Sequence, residues 1–193
     1  MGYDVLGMGT ILAITVHGLH DDSHTSILSI LCQGLSKIND PNIIRNYHPD
    51  YHNENCNVFF ILKHGRYAQG HGRYYVLEDQ GRYVGSAGWN EYDLDSTVAL
   101  ALTRMYTDPY YRGNYVIANE ILPRCLSETQ QYQKVWLTMG QHNMSMYNWF
   151  VRSAAGQSSG LFNNWPDIYK KFHPIGQKNI YYTPQWVVEY QRN

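Results

Sequence analysis

The segment Tyr106–Tyr115, Tyr-Thr-Asp-Pro-Tyr-Tyr-Arg-Gly-Asn-Tyr, combines a turn former, a cation and a helix entry. It follows an apolar alternating segment and precedes an amphipathic one, which predicts a strand, a turn marked by Pro109 and the start of a helix. The first N–H groups of a helix lack backbone partners and favour a phosphate. Arg112 adds a guanidinium that can bond two phosphate oxygens. The spacing predicts an anion site, and Pro-x-x-Arg-Gly is also typical of an ordinary turn.

A second group of residue types suited to chemistry lies near the start of the chain. Its members are His17, His20, Asp21, Asp22 and His24. Imidazole and carboxylate groups can ligate a metal. The adjacent Gly18 and the doubled acid favour a loop and a helix start instead, so we predict no metal. The three cysteines are far apart and show no metal-binding pair or disulfide framework, which favours a reducing compartment.

The composition limits the partners. The chain has 193 residues, 44% apolar and 16% charged, with a net charge of −1, which indicates one globular domain over residues 1–193. A near-neutral charge without a basic run argues against nucleic acid and against an acidic membrane surface. The apolar run Val5–Val16 is too short to span a bilayer and lacks a basic leader, so we expect a cytoplasmic protein.

The elements that must position these residues follow from periodicity and turn signals. The predicted strands are Val5–Val16 (a strand or extended hairpin), Arg73–Leu77, Arg82–Trp89, Val98–Tyr106, Lys134–Met139, and a closing antiparallel pair Ile168–Phe172 and Ile180–Tyr190. The predicted helices are Ser23–Ile38, Pro41–Tyr47, Val116–Leu126 and Asn143–Ala154, whereas Val58–Lys63 is ambiguous. Pro123 is expected to kink or shorten its helix. This order predicts a mixed sheet flanked by helices, an α/β or α+β domain.

Four pieces of the chain resemble the GNAT superfamily of acyl-CoA N-acyltransferases. They are the hairpin of residues 74–85, the strand Leu100–Tyr106 with the loop Asp108–Gly113, the strand Lys134–Thr138, and Asn143 with the helix containing Tyr147–Phe150. The resemblance covers about residues 73–156. It implies a GNAT-like fold in which two neighbouring parallel strands splay apart to admit acetyl-CoA.

The resemblance also implies residues that bind this co-substrate. Backbone groups of Met105, Tyr106 and Thr107 would pair with its pantetheine amides, in effect adding a strand to the sheet. Its pyrophosphate would lie on N–H groups of Arg112, Gly113, Asn114, Tyr115, Val116 and Ile117. Asn143 would hold the cofactor arm or start its helix.

Two features of the chain, the loop and the position of a tyrosine, depart from the family pattern. Tyr115 and Ile117 stand where the family carries glycine and Gly/Ala, which alters the phosphate cradle because a bare backbone allows the closest approach. Phe150 stands where the family often has a tyrosine that protonates the departing thiolate. Tyr147, one helical turn earlier, is our candidate for this acid, and packing is its alternative role.

Transfer to an amine also needs a base, because an ammonium must lose a proton before it attacks a thioester. Glu91 is our candidate, with Asp93, Asp95 and Glu78 as alternatives, and a solvated turn also explains each of these acids. The resemblance thus implies an N-acetyltransferase that moves an acetyl group from acetyl-CoA to a small-molecule or peptide amine by direct attack. A catalytically degenerate GNAT-like binding or assembly module is the alternative, and a homodimer is left open.

Overall fold

The computed structural model describes residues 14–18, 71–157, 165–180 and 182–192, without the side chains of His17 and Arg104. The predicted helices before residue 71, the ambiguous segment, most of the first predicted strand and the histidine group except the backbone of His17 lie outside these residues. Within them, seven strands form one sheet with the order β1-β2-β3-β4-β5-β7-β6. The bounds are β1 Ile14–Gly18, β2 Gly72–Asp79, β3 Arg82–Glu91, β4 Val98–Thr107, β5 Lys134–Gly140, β6 Phe172–Ile180 and β7 Thr183–Tyr190.

The central hairpin confirms the prediction from its turn residues. β2 and β3 pair antiparallel and are joined by Gln80 and Gly81, which both have positive φ, 49° and 81°. Two such residues suit a tight hairpin because their backbone matches the right-handed twist of the strands. Glu78 supports the turn by accepting a hydrogen bond of 2.8 Å from the Gly81 N–H. The hairpin fixes β3 as the neighbour on which β4 pairs.

Three helices are described, α1 Leu122–Glu128, α2 Met144–Ala154 and α3 Asp167–Lys170. α1 continues directly from a π-helical turn, Ile117–Ile121, in which the Leu122 N–H bonds to the Ile117 carbonyl. Pro123 explains this wider turn, because its ring has no N–H and crowds the carbonyl four residues earlier. The predicted helix is therefore confirmed, and Pro123 changes the helix type in the preceding turn.

The chain after α2 differs from the prediction. The segment Ile168–Phe172 was expected to be a strand, which is wrong: it lies mostly in α3, where Lys170 and Asp167 form an ion pair of 2.5 Å one turn apart. The antiparallel partner of β7 is instead Phe172–Ile180. Pro174 and Gly176, with a φ of 92° at Gly176, interrupt its alternation at a register shift. This edge strand is buried only at its two ends and its apolar residues do not alternate regularly, which concealed it from a hydrophobicity pattern.

Two clusters of buried side chains lie on opposite faces of the sheet. Ala99 and Ala101 of β4 pack in the larger cluster with α1 and α2, whereas Val98 and Leu100 pack in the smaller one. β5 alternates in the same way, since Leu137 joins the larger cluster and Trp136 the smaller. Successive strand residues point to opposite faces, so we name these the helix face and the Trp136 face.

Candidate functional site

A gap opens between the two parallel strands in the middle of the sheet. Pairing of β4 with β5 begins at Val98↔Lys134 and ends at Ala101↔Leu137. Beyond this point β4 continues beside β3 to Thr107, and β5 continues beside β7 to Gly140. A bulge marks the opening, because Ala101 and Leu102 together stand opposite Trp89 and Leu102 has a φ of 52°. The strand splay implied by the sequence resemblance is therefore present.

The turn after β4 has the predicted strand-turn-helix form. Asp108 caps it by accepting a hydrogen bond of 3.0 Å from the Tyr110 N–H, with Pro109 in the first position. Gly113 follows with a φ of 88°, and no atom lies within 4 Å of the place where its Cβ would be. The chain then enters the π-helical turn after Val116. The helix start lies close to the end of β4, since Met105, Thr107, Val116 and Ile117 all line one cavity.

Tyr115 adopts the backbone conformation for which glycine is favoured. Its φ is 51°, in the left-handed region, although it carries a large side chain. The ring is turned edge-on to Trp165, with the centroids 6.2 Å apart. The side chain therefore packs against Trp165, and the backbone keeps the left-handed conformation of the turn.

A cavity of about 380 Å³ lies on the helix face between this turn, the first helical turn and α2. It brings together seven of the predicted binding residues: Met105, Thr107, Arg112, Gly113, Tyr115, Val116 and Ile117. Sequence reasoning missed the other residues that line it: Tyr111, Ala118, Ser145, Met146, Trp149, Trp165 and Tyr169. Ser145 and Met146 follow closely after Asn143, which was a predicted binding residue. This closeness was the one sequence signal that could have found the α2 side of the cavity.

The cavity joins a cationic mouth to an aromatic interior. At the mouth, Arg112 Nε donates a hydrogen bond of 3.1 Å to the Thr107 carbonyl, and the guanidinium lies 5.9 Å from the Tyr106 ring centroid. Inside, the Tyr111 hydroxyl donates to Asp79 over 3.0 Å. Burial and, second, this bond raise the pKa of Tyr111. Tyr111 therefore stays neutral near pH 7 and serves as a wall.

Three predicted binding residues do not line the cavity. Tyr106 is buried and stacks on Tyr83, with ring centroids 6.1 Å apart. Asn114 is exposed in the turn, where its carbonyl accepts from Asn119 over 3.4 Å. Asn143 precedes the first residue of α2 without capping it through its side chain, which instead contacts the Met146 sulfur over 3.8 Å.

The two candidate catalytic side chains lie outside the cavity. The Tyr147 hydroxyl accepts a hydrogen bond of 3.0 Å from the Gly176 N–H of β6, and its ring stacks on Trp186 with centroids 4.7 Å apart. Glu91 lies at the far end of β3, opposite Ala99, and its carboxylate bonds His71 Nδ1 over 2.9 Å. Neither residue is brought to the mouth by the described part of the fold.

Buried groups behind the cavity are structural. Phe150, at the position where the family often has tyrosine, is fully buried and packs its ring against Trp165, Tyr169 and Phe172. Cys125 is also fully buried on α1, and burial raises the pKa of its thiol to about 12. A thiol held neutral in this way is a poor nucleophile.

The splayed parallel pair, the turn into a helix and the flanking α2 define the GNAT acyl-CoA N-acyltransferase fold, as predicted. A GNAT-family acetyltransferase from Staphylococcus aureus Mu50 superimposes with a TM-score of 0.55 and 15% identity, over 92% of this chain and 98% of that chain. AAC(6′)-Ib, in complex with ribostamycin and coenzyme A, gives 0.61 and 11% over 93% of each chain. The spermidine/spermine N-acetyltransferase SpeG from Vibrio cholerae gives 0.51 and 13% over 91% of each.

No protein-family model and no curated protein sequence matches the chain. At such identities the likeness to solved structures establishes the fold. Among the described residues, no helix is long and apolar enough to cross a membrane, and no group of His, Cys, Asp and Glu is arranged to hold a metal ion.

Proposed function

We propose that the protein is an N-acetyltransferase that moves an acetyl group from acetyl-CoA to a primary amine by direct attack. The observation that carries the proposal is the gap between β4 and β5, which opens beyond Ala101↔Leu137, with a cavity lined by the end of β4 and by Gly113. A gap between two parallel strands in mid-sheet leaves backbone groups available to an extended ligand arm. A helix start with Arg112 at the end of this gap suits a diphosphate.

The residues present fit acetyl-CoA despite the side chains of Tyr115 and Ile117 in the loop. Tyr115 retains a left-handed φ of 51°, and its ring packs against Trp165. Ile117 directs its side chain into the buried core, where it is 3% exposed. Space also remains at Gly113. The side chains at these positions are thus accommodated by the wall and the core.

Bound acetyl-CoA would supply a thioester, whose C–S bond breaks as the acceptor nitrogen bonds to the acyl carbon and the amine proton ends on the thiol. In this scheme the Arg112 guanidinium and main-chain amides among residues 113–117 hold the diphosphate, since the amides of Arg112 and Asn114 already donate to the Pro109 and Tyr111 carbonyls over 3.4 Å. The aromatic side chains of Tyr111, Trp149 and Trp165 line the cavity and offer apolar surface to the ligand. Direct attack uses no nucleophilic side chain, which agrees with the buried, neutral Cys125.

Incubation of the protein with acetyl-CoA and a panel of primary amines, followed by mass spectrometry, tests this proposal. We expect acetylated product, formed at a rate that falls at least tenfold in Arg112→Ala. Arg152→Ala is the matched control, because Arg152 is exposed near the end of α2 and does not line the cavity. Absence of both acetyl-CoA binding at millimolar concentration and product from every amine would refute the proposal.

A second candidate is a GNAT-like binding module without transfer chemistry. It is supported by the positions of the two predicted catalytic groups, since Tyr147 bonds Gly176 and Glu91 bonds His71, both outside the cavity. Such a module would bind acetyl-CoA and release it unchanged. Detection of acetylated amine at a rate sensitive to Arg112→Ala would eliminate it.

A further inference from the structure

The sheet face opposite the cavity carries an ammonium group over an aromatic ring. Lys178 Nζ lies 5.3 Å from the centroid of the Trp136 ring. Trp136 directly precedes Leu137, the last β5 residue paired with β4 before the gap opens. The Trp136 side chain packs in the same buried cluster as Leu100 and Ile180. An ammonium is therefore already held beside the closed end of the gap, on the face away from the cavity.

The ring is prepared for a cation by its neighbours. The Trp136 indole N–H donates a hydrogen bond of 2.8 Å to Glu189 Oε2. An anion at the N–H edge increases the negative potential of the ring face, to which a cation is attracted. The Tyr92 ring lies 6.1 Å from Trp136 and adds a second aromatic wall.

The β6–β7 hairpin holds Lys178 in this position. Ile180 at the end of β6 is buried in the Trp136 cluster, and the Tyr92 hydroxyl donates to the Asn179 carbonyl over 3.2 Å. Lys178 itself is exposed. Its flexible four-carbon arm can consequently leave the ring without unpacking the hairpin.

We infer that the face of Trp136 is the ammonium subsite for the amine acceptor, and that Lys178 occupies this subsite until an acceptor displaces it. The inference rests on the proposed function and specifies its substrate: a protonated primary amine on a flexible alkyl chain, as on a lysine side chain. The ring face provides the recognition, reinforced by Glu189 at the indole N–H, and the subsite lies beside the closed end of the gap.

Binding of n-butylammonium, which copies the lysine side chain, tests the inference without any acetyl donor. Isothermal titration is done on the wild type, Lys178→Met and Glu189→Gln, with n-butanol as the neutral ligand. Lys178→Met keeps the aliphatic arm and removes the competing charge, so we expect n-butylammonium to bind about threefold or more tightly, and n-butanol to be unaffected. Glu189→Gln is expected to weaken n-butylammonium binding by a similar factor.

Lys171→Met is the matched control, since Lys171 is an exposed lysine next to the other end of β6, and it should change nothing. Equal n-butylammonium affinity in the wild type and Lys178→Met would overturn the inference, as would unchanged affinity in Glu189→Gln. Acetyl-CoA binding is measured on the same samples. Acetyl-CoA binding without the Lys178 effect refutes this subsite and leaves the proposed function standing. Absence of acetyl-CoA binding together with absence of acetylated product refutes the proposed function, and the subsite as an acceptor site falls with it.

Discussion

Gly113→Ala perturbs the turn at the open end of the gap without filling any space. Gly113 has a φ of 88° and no atom within 4 Å of the position that an added methyl group would occupy, so the only cost is backbone strain. A left-handed conformation costs a residue with a Cβ about 1–2 kcal/mol. The free protein can relieve this strain by rotating the turn, but a bound diphosphate requires the amides in their original orientation.

The strain therefore appears partly as a lower free energy of unfolding and partly as weaker acetyl-CoA binding. Together these two losses are about 1–2 kcal/mol. If the free protein relaxes fully, acetyl-CoA affinity falls about 5–30-fold, the factor that corresponds to this energy. Isothermal titration gives the affinity, and urea unfolding gives the stability of the same variant. The two losses are expected to add up to the predicted strain.

Gly156→Ala supplies the matched control. Gly156 also has a positive φ, 66°, and open space around its Cβ position, but it lies after the end of α2 and does not line the cavity. It should lose stability and bind acetyl-CoA as the wild type does. If Gly113→Ala behaves like this control, with lower stability and unchanged affinity, the turn is not part of the phosphate cradle.

The remaining predictions concern buried groups. Phe150→Ala is expected to lower the free energy of unfolding by about 3–5 kcal/mol, because the fully buried ring leaves a cavity among three aromatic neighbours; a loss below about 1 kcal/mol in urea unfolding would contradict this packing. Tyr147→Phe removes the acceptor for the Gly176 N–H and should cost about 1 kcal/mol while turnover stays within about threefold, whereas a hundredfold lower kcat would identify Tyr147 as the acid. Cys125, with a pKa raised to about 12, should resist iodoacetamide at pH 8 in the folded protein and react after unfolding, as resolved by peptide mass spectrometry. The folded thiol keeps its proton, whereas the unfolded one ionises near pH 9. The free energy of unfolding of the wild type should therefore fall as the pH rises from about 9 to 12, and that of Cys125→Ala should fall less.

Local signals in the sequence were sufficient for the elements that frame the site. Gly81 marked the central hairpin, and Asp108 with Pro109 marked the turn after β4, because these residues have specific backbone roles at those positions. The splay was available only through the resemblance. β4 and β5 are both apolar and alternate alike, so no pattern in either strand reports that their pairing stops at Ala101↔Leu137.

The rest of the site depends on tertiary packing. Trp165 and Tyr169 follow α2 in the chain, and only the folding of that segment against Phe150 brings them to the cavity. Glu91 looked like a free acid in the sequence, but the register of β2 with β3 places it beside His71. Long-range pairing of this kind leaves no trace in local composition.

A crystal structure of the protein with coenzyme A tests the central claim most directly. We expect electron density for the ligand along the gap between β4 and β5, with its diphosphate on the amides that follow Arg112 and the Tyr115 ring still against Trp165. Density for coenzyme A elsewhere on the surface, or a Tyr115 ring that closes the cavity with the ligand excluded, would contradict the account.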